Sequence, residues 1–181
     1  MLAFGPRLDT PTSHYANNQQ TKVGTKTLTY DLNGNQTKDG NSNITYTWDA
    51  RDRLTATSVS STLQCDPLGR RTKKGDQRYH HSLPLRRVNP VQKLDAAGNV
   101  VANLLTGLNI DEVLSRTASS TTRALLPDAL NSTLALADNA GTEQSTYTYE
   151  PFGTNAITGQ TNTNSYQYTG RENDGTGLNY Y

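Results

Sequence analysis

Thr146-Tyr147-Thr148-Tyr149-Glu150-Pro151-Phe152-Gly153 decides the fold. Tyrosine and threonine alternate over its first half, which puts one aromatic row on one face of a strand, and an acid three residues before a glycine then closes the run. Ile44-Thr45-Tyr46-Thr47-Trp48-Asp49-Ala50-Arg51-Asp52 repeats the pattern, with aspartate in place of glycine at the last position. Leu28-Thr29-Tyr30-Asp31-Leu32-Asn33-Gly34 gives it again.

An acid followed three positions later by Gly, Asn or Asp occurs at seven places. They are Asp31 to Gly34, Asp49 to Asp52, Asp66 to Gly69, Asp95 to Gly98, Asp128 to Asn131, Asp138 to Gly141 and Glu150 to Gly153. The acids lie 18, 17, 29, 33, 10 and 12 residues apart, a loose series of hairpins and not a strict solenoid. Each unit reads as a tight turn. The acid accepts backbone N–H groups two or three residues ahead, and the fourth residue takes the left-handed conformation that glycine, then asparagine and aspartate, adopt most readily.

Composition agrees with this reading. The 181 residues include 27 Thr, 17 Asn, 14 Gly and 10 Tyr, whereas Leu, Ile, Val and Phe total 32. Threonine and tyrosine suit a half-buried pleated surface, and asparagine and glycine suit turns, so the expected fold is all-β, an irregular succession of antiparallel hairpins. Residues 111–126 read as a strand pair around the Ser119–Thr122 turn, and 125–137 as a turn followed by a strand. Residues 1–26 and 154–165 are polar and read as loops.

A formal net charge of +1 gives no general reason to bind nucleic acid. Arg70-Arg71-Thr72-Lys73-Lys74 reads as a solvated face, since no aromatics are interleaved for base stacking. Cys65 is the single cysteine, which excludes an internal disulfide and a Cys-rich zinc site, and it reads as a buried residue in an aromatic's place. His80 and His81 point to opposite faces of a strand, and only His14 remains as a third imidazole, so no metal site is expected. No nucleophile and base stand in a recognisable pattern, Asp66-Pro67 reads as a turn, and no cofactor is called for. Met1 to Arg7 lacks the form of a signal peptide, and no stretch reaches spanning length.

Tyr30-Asp31-Leu32-Asn33-Gly34-Asn35, Tyr46 to Leu54 and Asp66-Pro67-Leu68-Gly69-Arg70-Arg71 resemble the YD repeats of the Rhs family. Asp95 to Val100, Asp128 to Thr133, Tyr147 to Gly153 and Tyr168-Thr169-Gly170-Arg171-Glu172-Asn173-Asp174-Gly175-Thr176-Gly177-Leu178 resemble, in order, the family's C-terminal associated core. The resemblance implies a polar segment over 1–26, YD-repeat hairpins over 27–88 and a core segment over 89–181. It also implies a role: part of a β-sheet shell that spirals around a C-terminal toxin and holds it inactive. The partners would be the rest of that shell and its toxin, with self-association through open sheet edges.

Family members continue past Leu178 into an Asp-Pro self-cleavage motif and a toxin, which this sequence lacks, so the expectation is a non-enzymatic shell piece. Cys65, Asn131 and Asn179 stand where the family usually has Tyr, Gly and Tyr. Residues 75–88 depart from its repeat, as a decayed or frame-shifted unit would, or a tolerated surface loop. The intact family is secreted or displayed at the cell surface, and this chain expressed alone would stay in the cytoplasm. Other readings are a glycan-binding surface module, an autoproteolytic or nuclease chain, and a displaced remnant without function.

Overall fold

A computed structural model of the chain describes residues 12–15, 17–40, 42–59, 62–75, 77–81, 89–175 and 178–180. Eighteen strands and one 3-10 turn make up the regular structure among them, with no α-helix. The fold is all-β and antiparallel. The described residues divide into two compact units, one within residues 4–76 and a larger one within residues 77–181.

In the first unit, β1 (Thr12–His14), β2 (Gln20–Val23), β3 (Lys26–Tyr30), β4 (Gln36–Asp39), β5 (Ile44–Trp48) and β6 (Leu54–Thr57) pair in chain order. A hairpin of β7 (Leu63–Cys65) and β8 (Arg71–Lys74) follows. Leu28, Ile44, Tyr46 and Leu63 form its buried apolar positions. Burial and the nearby Asp39 push the Tyr46 phenol up to about 12.

In the second unit, β9 (Gln77–His81), β10 (Pro90–Leu94), β11 (Val100–Thr106), β12 (Val113–Ala118), β13 (Thr121–Pro127), β14 (Thr133–Ala137), β15 (Glu143–Tyr149) and β16 (Asn155–Gly159) form an antiparallel meander. Every strand pairs with its neighbours in sequence. The 3-10 turn Tyr168–Gly170 leads into the short pair β17 (Glu172–Asn173) and β18 (Asn179–Tyr180). Leu104, Val113, Leu125, Leu136, Tyr147 and Tyr166 make one core cluster, with Tyr149 packed against it. Alternation explains it, because Ala102, Leu104 and Thr106 are buried while the residues between them are exposed.

Three local expectations need correction. The stretch 1–26, expected as loop, contains β1 and β2, and 154–165 contains β16. These strands are polar, β1 and β16 largely exposed and β2 half-buried, so they are held by ladder bonds and leave no apolar alternation in the sequence. Cys65 is half-buried instead of buried, and burial pushes its thiol up while Arg53 and Arg71 pull it down. His80 and His81 lie on β9, with side chains outside the described residues, as are residues 82–88 and Gly177.

Candidate functional site

The residues singled out by the sequence fall into two arrangements. The first is the hairpin turn. At all seven acidic sites the backbone N–H of the acid donates to the carbonyl four residues on, and the N–H three residues on donates back to the acid's own carbonyl. The residue three on has positive φ in each: Gly34, Asp52, Gly69, Gly98, Asn131, Gly141 and Gly153. This is a type I turn followed by a left-handed residue, and six of the seven ladders slip by one residue just before the acid. The hairpin at Glu150 keeps its register throughout.

The aspartate side chain spans the turn. Oδ1 of Asp31, Asp49, Asp66, Asp128 and Asp138 accepts from the backbone N–H groups two and four residues ahead, at 2.8 to 3.1 Å. Asp95 Oδ1 accepts from Asn99 N at 2.8 Å. The other oxygen meets the side chain four residues on: Asn35 at 3.1 Å, Arg53 at 2.8 Å, Arg70 at 2.6 Å and Asn99 at 2.9 Å. The Arg53 side chain, with the turn N–H groups, holds the Asp49 carboxyl down to about 2. Asn99 lowers Asp95 in the same way. At Asp31 and Asp66, desolvation pushes up but the donors around the turn outweigh it, and both end below the usual range.

Turns in the first unit also touch one another. Asp52 Oδ1 accepts from Asn33 Nδ2 at 3.0 Å and Asn35 Nδ2 at 2.7 Å, and Arg53 Nη1 donates to the Asp66 carbonyl at 2.9 Å. Three successive turns are thus bonded along one rim. The aromatic residue before the acid works as a staple. Tyr30 OH donates to Gln20 O at 2.7 Å, Trp48 Nε1 to Gln36 O at 2.8 Å, and Tyr149 OH to Thr133 O at 2.7 Å. Each acceptor is the first residue of the preceding strand. The aromatic–acid dipeptide therefore ties a strand's end to its neighbour's start while the acid closes the next turn.

The second arrangement is a clasp formed by Asn164 to Leu178 on the sheet of the second unit. Thr133 N donates to Gln167 O at 3.0 Å, Thr133 Oγ1 to Tyr166 O at 2.8 Å, and Thr169 N to Ser132 Oγ at 3.0 Å. Tyr168 OH reaches Pro151 O at 2.7 Å, and its ring lies 5.6 Å from that of Tyr149. A Cβ on Gly170 would come within 2.8 Å of Asn131 Nδ2 and the Asp111 carbonyl, so only glycine admits this approach. Asn131 Nδ2 itself donates to that carbonyl at 2.7 Å. Arg171 pairs with Asp111 at 3.0 Å, where burial pushes the Asp111 carboxyl up and Arg171 pulls it down.

Glu172 is the buried anchor. Its Oε1 lies 2.6 Å from Lys93 Nζ, the two side chains being 6% and 7% exposed. Lys93 also donates to Ser165 Oγ at 2.5 Å and stands 4.9 Å from the Tyr166 ring centre. Asp174 N bonds to the carbonyl of buried Leu178 at 2.8 Å. Of the core-motif residues, Tyr168, Gly170, Arg171, Glu172, Asp174 and Leu178 come together here. Sequence reasoning missed their partners Lys93, Asp111 and Ser132, which lie 37 to 79 residues away. It also missed the Asn or Arg four residues after the acid, a signal legible at positions 35, 53, 70 and 99.

Among the described residues no group of three His, Cys, Asp or Glu side chains is placed to hold a metal. No helix among them is long and apolar enough to cross a membrane.

No family model matches the chain. It is 30% identical over 175 residues to the tRNA3(Ser)-specific nuclease WapA of Bacillus spizizenii, a match covering 90% of this chain and 7% of that protein. The chain therefore spans a small part of the curated relative it matches. In solved structures its fold is found in the Tc holotoxin pore of Photorhabdus luminescens, with a TM-score of 0.55 and 16% identity over 94% of this chain and 12% of that one. It is also found in the TcdB2-TccC3-TEV structure, with a TM-score of 0.54 and 17% identity over 95% and 10%. The matched segments make up 7 to 12% of those chains, and the likeness agrees coarsely with the Rhs-type resemblance in the sequence.

Proposed function

We propose that the chain is a wall segment of an Rhs-type toxin shell, a non-catalytic piece of β-sheet that helps to enclose a toxin domain. The observation that carries this reading is the meander of the second unit with its clasp. Among the described residues each strand of the meander pairs with its sequence neighbours, so the sheet extends by adding hairpins, and the aromatic–acid staple occurs in both units, at Tyr149 here and at Tyr30 and Trp48 in the first. Such a sheet is a modular wall. Its conspicuous acids serve turns and anchors: Asp31, Asp49, Asp66, Asp95, Asp128 and Asp138 bind turn N–H groups, and Glu172 is engaged by Lys93. The likeness of fold to segments of Tc toxin structures supports the same role.

A chimera tests it. The whole chain replaces the segment it matches in the TcdB2-TccC3-TEV protein, a protease-sensitive domain is carried as cargo, and digestion of the cargo is followed. Protection comparable with that of the parent supports the reading. A folded chimera whose cargo is cut as fast as free cargo refutes it.

A further inference from the structure

The sheet face that bears the core cluster carries more positive charge than its described acids balance. Directly opposite residues of an antiparallel pair share a face, and the register places Leu104 opposite Arg116 and Arg116 opposite Arg123. Leu125, two residues beyond Arg123, faces the same way opposite Leu136. Lys93, opposite Ala102, completes the set of cations on this face. Lys93 has Glu172. Arg116 has no counterpart: among the described residues its side chain makes no hydrogen bond or ion pair, and its Nε is buried without an acceptor. Arg123 donates from Nη1 to the neighbouring Thr122 carbonyl at 3.2 Å.

Two arginines directly across a ladder repel, and a buried guanidinium N–H without an acceptor is costly. Burial pushes Arg116 down, with the phenols of Tyr166 and Tyr147 close by. An anion between the two would relieve both costs, because paired guanidinium groups match a carboxylate in bidentate geometry. The surroundings select the kind of anion. Leu104 lies directly opposite Arg116 and the phenols of Tyr147 and Tyr166 act on it, all three belonging to the buried core cluster, and this low-dielectric setting favours a charge carried on a side chain over a free, strongly hydrated ion. The face already takes one carboxylate in this manner, since Glu172 arrives on a segment laid across the strands and meets Lys93 beside Tyr166.

We infer that Arg116 and Arg123 form a receptor for a glutamate or aspartate carried on a second peptide segment that lies across this face. The inference stands on the arginine pair alone and does not depend on the shell reading.

The test titrates the full chain with three probes: the blocked pentapeptide acetyl-Thr-Leu-Glu-Tyr-Thr-amide, its glutamine counterpart, and inorganic phosphate. The readout is the NMR resonance of the Arg116 Nε–H group, repeated in Arg116→Gln and Arg123→Gln chains, with Arg123 followed in the former. The expected result is a saturable shift with the glutamate peptide that weakens with added salt and is about tenfold weaker with the glutamine peptide and in either variant. Equal response to both peptides, response to phosphate alone, no shift in the parent chain, or undiminished binding in folded variants each overturns it. If a variant fails to fold, the glutamate–glutamine comparison on the parent chain decides.

Discussion

Replacing either member of the Lys93–Glu172 pair isolates the contribution of the clasp. The two charges stand 2.6 Å apart with side chains 7% and 6% exposed. At that spacing their attraction is about 6 kcal/mol for an effective dielectric of about 20, and desolvation of the two ions offsets most of it. Removing one partner leaves the other buried without its counter-charge, so Lys93→Met and Glu172→Leu should each destabilise the second unit by about 3–5 kcal/mol. The double variant should lie within about 1 kcal/mol of the parent, which gives a coupling of about 7 kcal/mol. The assay has to follow the second unit. Trp48, the single tryptophan, sits in the first, so urea unfolding is best followed by amide hydrogen exchange on β10 to β15. Single variants each within about 1 kcal/mol of the parent would refute the clasp as an anchor, as would additive losses in the double variant.

Other outcomes follow from the turns and the core. Gly98 has φ +91° with nothing within 4 Å of a Cβ, so Gly98→Ala tests backbone strain alone and should cost about 1–2 kcal/mol in chemical denaturation. Asp31, Asp49, Asp66 and Asp95 all titrate below the ordinary range in the folded chain. Their contribution is complete above a pH of about 4 and is lost as pH falls through the folded values, Asp49 near 2, so an acid melt should show decline across that window. Leu136 is 2% exposed at the centre of the core cluster, and Leu136→Ala should cost about 2–5 kcal/mol of thermal or urea stability.

The fold class was legible because turn chemistry is local. An acid and a glycine three residues apart carry their own hydrogen-bond demand, and alternating Thr and Tyr declare a strand. The finer wiring was less so. The acid reaches the N–H groups two and four residues ahead, not two and three, because the left-handed residue between turns its own N–H back to the acid's carbonyl. The strands β1, β2 and β16 were missed because polar exposed strands carry no apolar period. The clasp was legible as a motif but not as an anchor. Nothing near Glu172 in the sequence points to Lys93, 79 residues away, and only the folded sheet brings them together.

An extendable wall of the proposed kind would offer unpaired backbone groups along its outer strands. β16 ends the meander of the second unit among the described residues, and its side chains are mostly exposed. With a formal net charge of +1, little repulsion keeps copies apart. The most direct measurement is size-exclusion chromatography with light scattering over a range of concentrations, on the parent chain and on Ile157→Lys, which places a charge on β16. The expected result is concentration-dependent association that the variant reduces. A monodisperse monomer at every concentration, melting cooperatively, would show that the chain closes its own edges and would contradict it.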